Sequence, residues 1–470
     1  MEVNVIHTVF PPIRSVLAWR VMFLYSFTLL LFTGLFVAAH YTANQVPQDF
    51  VAKRLSRDFR LHNLSRHNYP FSHHGAHSVL SNIGQNQYTE CAVLLSVLST
   101  PSGRLEDAVL PRTIKGPIAP GCKLLERTVR SLKEQGVKVE TRPLRTRYWW
   151  GARPVYSYML RFFSVYQIRE MLRNATSLAY TGLAAALLFI SPSVFWILLP
   201  LVIFGTLFSG VNYYSEVPLG VPYLWAVIAS ALLAALHAMK LAASRISLAV
   251  FIVGMVSSFL WLLDGHLILL IAWLILISYF SSLRYASPAN SLLSAIKYIA
   301  VFSGGFLSAY FSGQVVKSLF IGVGPVFKSV AGGISYRTSN TVTGQTELDL
   351  SIVLDKVWNI GLWWTGFLRH ELMWDIIVRS SLLAAITGIV ISIVKSMRGD
   401  RRVLVSLIIC ILVVLTILAR LFFLQNHSVI HAFFIGRYMF IALAMGWVVL
   451  LVSLSGTNFS SFRLKRHELP

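Results

Sequence analysis

The sequence is short of acidic residues and of cysteine, and both shortages narrow the kind of protein it encodes. Only 19 Asp and Glu stand against 41 Lys and Arg in 470 residues, giving a formal net charge of +22 at pH 7. Charged residues make up 13% of the chain and apolar residues 56%, which excludes an ordinary soluble globule. The 3 cysteines show no CxxC or Cys/His spacing, so a cysteine-based zinc site is excluded too.

Long apolar runs predict transmembrane helices. Met22 to Ala39 is free of charge and long enough to cross a hydrocarbon core of about 30 Å. Because a cleaved signal peptide has a shorter apolar region of about 7–15 residues, we predict an uncleaved anchor, with cleavage near Val37-Ala38-Ala39 as the alternative. Nine further runs complete a ten-span α-helical membrane protein; they lie near residues 174–191, 193–209, 220–239, 247–263, 267–282, 292–312, 376–395, 403–424 and 433–455.

Basic residues in the short connections orient these spans, because such residues concentrate on the cytoplasmic side. In the ten-span topology they all fall on one side, which predicts cytoplasmic termini, including the tail 456–470. The residues concerned are Arg14, Arg20, Lys240, Arg245, Arg284, Lys395, Arg398, Arg401, Arg402, Arg463, Lys465 and Arg466. A kinked, re-entrant unit at Ser191-Pro192-Ser193 is the alternative, and it would shift the count by one.

Residues 40–173, which we call the inserted domain, separate the N-terminal residues 1–39 from the transmembrane domain 174–455. The inserted domain contains 20 Lys and Arg but only 9 Asp and Glu. It is predicted to lie outside, since loops longer than about 60 residues cross the membrane largely regardless of charge. Helical periodicity from Lys123 to Gln135, a stop at Gly136 and alternation over 137–139 predict a small mixed α/β domain.

The inserted domain holds the first candidate catalytic acids. Glu90 stands directly before Cys91, and a rigidly held carboxylate near the membrane could act as general base toward an acceptor hydroxyl. Asp49 is the second candidate, whereas Glu106-Asp107 is expected to be a solvated pair in a loop. Cys91 and Cys122 either form a disulfide in an oxidising compartment or remain two buried thiols.

Residues 145–173 combine arginines with many aromatic side chains, a composition typical of a segment at the membrane surface. An ordinary anchor for the next span has this composition too. The functional alternative is a cradle for a lipid-linked phosphate, because arginine pairs with phosphate through two hydrogen bonds. The candidates are Arg147, Arg153 and Arg161 for phosphate, and Trp149 and Trp150 for sugar or acceptor.

Most other acids and histidines lie in the predicted outer connections near 210–219, 264–266, 313–375 and 425–437. Before the eighth span, Glu371 is a further candidate acid, and Trp364 and His370 are candidates for sugar or acceptor binding. His431 and Arg437 are expected to bind the donor phosphate. Tryptophans of a membrane-surface belt explain the aromatic character of this edge equally well.

Three functions fit this organisation. A glycosyltransferase that uses polyprenyl-phosphate sugars needs a membrane groove, outer cations and an outer acid, and the chain has all three. An oligosaccharide ligase or polymerase usually has its large loop late in the chain, and a transporter or flippase would bury charges in mid-span. Membrane lipids are expected partners and nucleic acid is not. The sequence assigns no definite cofactor. Mg²⁺ or Mn²⁺ is the candidate metal, at Glu347-Leu348-Asp349, where a helix cap is equally consistent.

Four sequence motifs carry a resemblance: QYTEC, RYWWGARPVYSYMLRFF, IREMLR and, late in the chain, NHSVIHAFFIGRYMF. They resemble bacterial polyprenyl-phosphate-dependent, GT-C-like membrane glycosyltransferases, closest to the type IV pilin arabinofuranosyltransferases. The resemblance implies transfer of D-arabinofuranose from a polyprenyl phosphate to Ser or Thr of a pilin-like acceptor, at the periplasmic face of the bacterial inner membrane. That class usually has an acidic pair early in the first outer loop. Here only single Asp49 and Asp58 occur there, so Glu90 is preferred over Asp49.

Overall fold

A computed structural model describes residues 13–66, 87–99, 103–114, 121–134, 141–143, 151–208, 217–260, 266–283, 286–338, 371–424 and 438–455. The inserted domain contains α2 (Gln48–Arg60), α3 (Gln87–Ser99), α4 (Leu105–Val109), β1 (Arg112–Ile114), α5 (Gly121–Glu134), β2 (Thr141–Pro143) and α6 (Ala152–Met159). The remaining helices are α1 (Ile13–Ala43), α7 (Val165–Ile190), α8 (Pro192–Phe208), α9 (Val217–Ala238), α10 (Ala243–Leu260), α11 (His266–Ser282), α12 (Pro288–Ile321), α13 (Val323–Thr338), α14 (Glu371–Met397), α15 (Arg401–Phe423) and α16 (Met439–Ser455).

The inserted domain is mainly helical, so the expected mixed α/β character is present only to a small extent. Strands β1 and β2 pair antiparallel, with Arg112 opposite Pro143, and they form the only sheet among the described residues. The helix predicted from Lys123 is confirmed as α5, and the apolar run 93–98 lies within α3. Gly136 and residues 137–139 lie outside the described residues.

Helix α7 belongs to the inserted domain at its start and to the helix bundle at its end. Val165 is buried in the core of the domain, whereas Leu183 is buried in the core of the bundle. The helix begins at Ser164, whose hydroxyl accepts the Gln167 N–H while the Gln167 side chain accepts the Ser164 N–H. This reciprocal cap fixes the start of a helix that joins the two regions.

The inserted domain sits on one end of the bundle, which we call the domain-side end. The start of α9 packs into the domain core through Val221 and Leu224. At the end of α10, the carbonyl of Phe259 accepts the N–H of Gly151 at 3.1 Å. A Cβ at Gly151 would lie 2.5 Å from that carbonyl oxygen, so a glycine is required for this close approach.

Contacts between helix ends give the relative directions of several bundle helices. The starts of α11 and α16 meet through a hydrogen bond between His266 and Tyr438. The end of α11 meets the start of α15, where the hydroxyls of Tyr279 and Ser406 are 3.0 Å apart. Helices α7 and α8 form an antiparallel pair, because Gly205 near the end of α8 packs against Tyr180 in α7.

Among the described residues, six helices are long and apolar enough to cross a membrane: α1, α9, α10, α12, α14 and α15. Helices α8, α11 and α16 coincide with predicted spans but have 17 residues each, and α7 begins with polar turns inside the domain. The protein is therefore an α-helical membrane protein, while the count of ten spans stays a prediction. The expected connection from residue 313 begins later, because α12 continues to Ile321 and α13 follows.

Glycines allow two bundle helices to touch through their backbones. A Cβ at Gly305 of α12 would lie 2.2 Å from the carbonyl oxygen of Phe251 in α10. In the reverse direction, a Cβ at Gly254 of α10 would lie 2.3 Å from the carbonyl oxygen of Phe302. Close approach through small residues is a common way for helices to associate within a membrane.

Candidate functional site

Glu90 connects helices α3, α6 and α7 through hydrogen bonds. It lies in the first turn of α3 with 0% of its side chain exposed. Arg169 of α7 donates to both carboxylate oxygens, through Nη2 and, at 3.3 Å, through Nε. The hydroxyl of Tyr156 in α6 also donates to Glu90, and Arg169 donates to the carbonyl of Asn63 at 3.0 Å. We call Glu90, Arg169 and Tyr156 the Glu90 network.

Asp58 of α2 positions the start of α7 beside this network. Its Oδ1 accepts the side-chain amide of Asn63 at 2.8 Å, and its Oδ2 accepts the N–H of Val165 at 3.2 Å. Burial raises the pKa of Asp58, while the hydrogen bonds and the charges of Arg169 and Arg54 act in the opposite direction. A carboxylate at a helix start is also favoured by the helix dipole.

A disulfide closes the inserted domain. Cys91 of α3 and Cys122 of α5 are joined, with their Cα atoms 5.0 Å apart, and both residues are fully buried. Of the two alternatives for these cysteines, the structure therefore has the bridge. Because Cys91 follows Glu90 directly, the bridge also holds the Glu90 network against α5.

The three candidate catalytic acids differ in access. The Asp49 side chain is 75% exposed and lies 4.0 Å from Lys53, one turn further along α2. Glu90 is enclosed by its partners, so it could reach an acceptor hydroxyl only if the network opened. Glu371 is the first residue of α14. The catalytic roles of all three stay predictions, and of the first two only Asp49 has a carboxylate that an acceptor can approach.

Arg153, a candidate for phosphate binding, is only 1% exposed. It donates to the side-chain oxygen of Asn44 after the end of α1 and, at 3.4 Å, to the carbonyl of Ala108 in α4. Burial lowers the pKa of Arg153, and the negative charge of Asp107 opposes that shift. In this position Arg153 joins α6 to α1 and α4.

The expected solvated acidic pair is correct for Glu106 and wrong for Asp107. Asp107 is 6% exposed because α4 turns its side chain inward, where it forms an ion pair with Arg112 at 3.3 Å. Arg161 is half-buried in the turn between α6 and α7. The other predicted site residues lie outside the described residues: Arg147, Trp149, Trp150, Trp364, His370, His431 and Arg437.

A second buried polar group, which the sequence did not predict as a site, lies inside the bundle at its domain-side end. The Tyr438 hydroxyl and His266 Nδ1 are 2.7 Å apart, and the ring of Tyr223 lies 6.0 Å from that of His266. The hydroxyl of Tyr223 is hydrogen-bonded to that of Tyr180. Arg420 of α15 acts electrostatically on His266. We call these five residues the His–Tyr cluster; Tyr180, Tyr223, His266 and Tyr438 are all buried.

Ionisable groups buried within a membrane protein are costly and usually functional. A cavity of about 20 Å³, lined in part by His266, Trp225 and Ser257, adjoins the cluster and has room for about one water molecule. The sequence contained a signal for this site, because Arg420 is a charge inside the apolar run 403–424. The tyrosines gave none, since a buried tyrosine in an apolar run is indistinguishable from ordinary core.

Over the described ranges of the chain, no three His, Cys, Asp or Glu side chains come together as a metal site. Glu347-Leu348-Asp349 lies outside those ranges. Comparison with known proteins finds no matching family, no matching curated protein and no matching solved structure. The resemblance to membrane glycosyltransferases therefore depends on the motifs alone.

Proposed function

We propose that the protein is a membrane glycosyltransferase that moves a sugar from a polyprenyl-phosphate donor to a protein or glycan acceptor on the periplasmic face. The observation that carries this proposal is the position of the His–Tyr cluster. Tyr223 of the cluster lies on α9 between Val221 and Leu224, which pack into the inserted domain. A polar cluster at the domain-side end of the bundle lies where the phosphate and sugar of a membrane-embedded donor would meet an acceptor from the aqueous side.

Two observations support a periplasmic inserted domain. Its disulfide belongs to an oxidising compartment. The far end of the bundle is basic, with Lys240 and Arg245 at the turn from α9 into α10, and Arg398, Arg401 and Arg402 at the turn from α14 into α15. Basic short connections favour the cytoplasmic side, so the bacterial inner membrane is the proposed location, with both termini cytoplasmic.

We assign roles by accessibility. Asp49 replaces Glu90 as the proposed general base, because a base must lie within hydrogen-bonding reach of the acceptor hydroxyl. Arg420, which is half-buried, provides positive charge for the departing phosphate, and the buried His266 holds the Tyr438 hydroxyl within the cluster. The Glu90 network positions α7, which contributes Tyr180 to the cluster.

A transporter or flippase of lipid-linked sugars is the second candidate, because a buried polar cluster between bundle helices also suits a translocation path. A ligase or polymerase acting on lipid-linked glycans is the third, and has the same donor chemistry. D-Arabinofuranose and a pilin-like acceptor follow only from the motif resemblance.

To test this proposal, the purified protein is reconstituted in liposomes with a polyprenyl-phosphate-linked sugar and an acceptor, and the mass of the acceptor is measured over time. Tyr438→Phe removes the hydroxyl that meets His266 and should slow transfer at least about tenfold, a loss typical of one positioned group. Tyr279→Phe is the matched control, since this tyrosine is also fully buried and hydrogen-bonded but lies at the far end. Movement of donor across the bilayer without any acceptor modification would favour the flippase. Intact masses of surface proteins with and without the gene would identify the sugar class.

A further inference from the structure

The turn between α6 and α7 places several aromatic side chains on the surface. Phe162 is 70% exposed and Tyr166 52% exposed, with Tyr158 at 37% and Phe50 of α2 at 39% nearby. The level of this turn is fixed by Tyr158, whose hydroxyl donates to the side chain of Thr42 in the last turn of α1. The aromatic group therefore lies where α1 leaves the apolar region and α7 enters it, at the depth where aromatic residues meet lipid headgroups.

Two arginines are held side by side within this aromatic group. Arg54 Nη2 donates to the backbone carbonyl of Arg161 at 3.2 Å. The guanidinium of Arg54 lies 5.7 Å from the ring centre of Phe50, and that of Arg161 lies 5.3 Å from the ring centre of Tyr158. Cation–π contacts of this kind hold a guanidinium in place without neutralising it.

The local charge balance is positive. Neither guanidinium forms an ion pair with a carboxylate within the described residues. Asp58 acts on Arg54 through space, but its oxygens are already engaged by Asn63 and Val165. The start of α7 is already capped by Ser164 and Asp58, so the positive charge of this surface comes from the arginines. Two adjacent guanidiniums form a site for an anion.

We propose that Arg54 and Arg161 bind the phosphate of an anionic phospholipid of the surrounding membrane, with its chains running down past Phe162 and Tyr166. The site is separate from the His–Tyr cluster, which belongs to the bundle core, and the proposal does not depend on sugar transfer. It reassigns Arg161 from the donor phosphate to a structural lipid. The bound lipid would hold the inserted domain against the membrane at the junction of α2 and α7.

The test measures lipid binding to the full chain in phosphatidylcholine nanodiscs, by native mass spectrometry and by thermal shift, as phosphatidylglycerol is added. The double variant Arg54→Gln/Arg161→Gln should bind phosphatidylglycerol about tenfold more weakly or worse, because hydrogen bonds to a charged group are lost. The matched control is Arg57→Gln/Arg60→Gln, which removes two exposed cations from α2 and should leave the affinity within about twofold. Arg54→Lys/Arg161→Lys keeps both positive charges and serves as the test variant if the glutamine variant fails to fold. It should reduce the affinity for phosphatidylglycerol by less than the glutamine variant does.

Adding phosphatidylglycerol, inorganic phosphate or polyprenyl phosphate in separate measurements shows which of them the site binds. Phosphatidylglycerol should stabilise the wild-type protein, and inorganic phosphate at the same concentration should not. Equal losses in the site and control variants would mean a diffuse basic surface and overturn the proposal. Stabilisation by polyprenyl phosphate but not by phosphatidylglycerol would also overturn it and return Arg161 to the donor site. Unchanged sugar transfer in Tyr438→Phe, with lipid binding intact in the same variant, would count against the proposed function of the His–Tyr cluster only.

Discussion

Replacing Glu90 with glutamine separates a structural from a catalytic role for this carboxylate. In Glu90→Gln the amide of the new side chain faces Arg169, so a donor meets a donor and the guanidinium loses its counter-charge. The Glu90 side chain is 0% exposed and that of Arg169 9%. Removing one partner of such a buried pair costs about 3–5 kcal/mol. We therefore expect a large loss of stability together with any loss of transfer.

The matched control is Glu170→Gln on α7, the helix that contains Arg169. Glu170 pairs with Arg173, but the two side chains are 28% and 38% exposed. An exposed pair is worth about 0–1 kcal/mol, since water screens it and ordering the side chains costs entropy. Thermal unfolding in detergent, followed by the monomer peak in size-exclusion chromatography, compares the two variants with the wild type.

The double variant Glu90→Leu/Arg169→Met completes the measurement. Removing both charges leaves neither buried and unpaired, so this variant should be more stable than Glu90→Gln. If Glu90→Gln instead unfolds at the wild-type temperature and has no transferase activity, the carboxylate is catalytic and our structural assignment is refuted.

Three further outcomes are expected. Gly305→Ala should lower the unfolding temperature, because its Cβ would lie 2.2 Å from the Phe251 carbonyl oxygen. Gly304→Ala should leave it unchanged, because a Cβ there meets nothing within 4 Å. Equal effects of the two variants would contradict the α10–α12 contact. Cys91→Ser should cost about 2–5 kcal/mol, and maleimide should label the reduced wild-type thiols only after denaturation; fast labelling of the folded protein would contradict their burial. Because the pKa of Asp58 is raised in the folded state, its contribution to stability should fall as pH rises from about 4 through that raised pKa, since the folded state then holds more protons than the unfolded state. Asp58→Asn should flatten this slope of unfolding temperature against pH, and an unchanged slope would assign it to another group.

Local patterns in the sequence were sufficient to predict some of the helices. The period of apolar residues from Lys123 predicts α5, and the charge-free run 22–39 predicts the membrane segment of α1. The length of α12 was underestimated, because Gln314 and Lys317 near its end interrupt the apolar run while being buried in the structure. Hydropathy measures what a residue prefers on average, and here the fold buries two polar residues within one helix.

Some features of the site could not be predicted because they depend on contacts between distant residues. Glu90 was selected for its position beside Cys91, but its partner Arg169 lies 79 residues away, and no local pattern pairs them. The same holds for His266 and Tyr438, which are separated by 172 residues. Arg153 was expected at a surface because arginine is rarely buried, and only the folded chain brings Asn44 and Ala108 to it.

The continuity of α7 has a mechanical consequence. Arg169, which grips Glu90, and Tyr180, which joins the His–Tyr cluster, lie on one uninterrupted helix, separated by about 16 Å at the usual rise per residue. A helix resists compression along its axis, so any tilt of the inserted domain must also displace the side chain of Tyr180 inside the helix bundle. Docking of a molecule on the inserted domain would therefore change the geometry of the His–Tyr cluster.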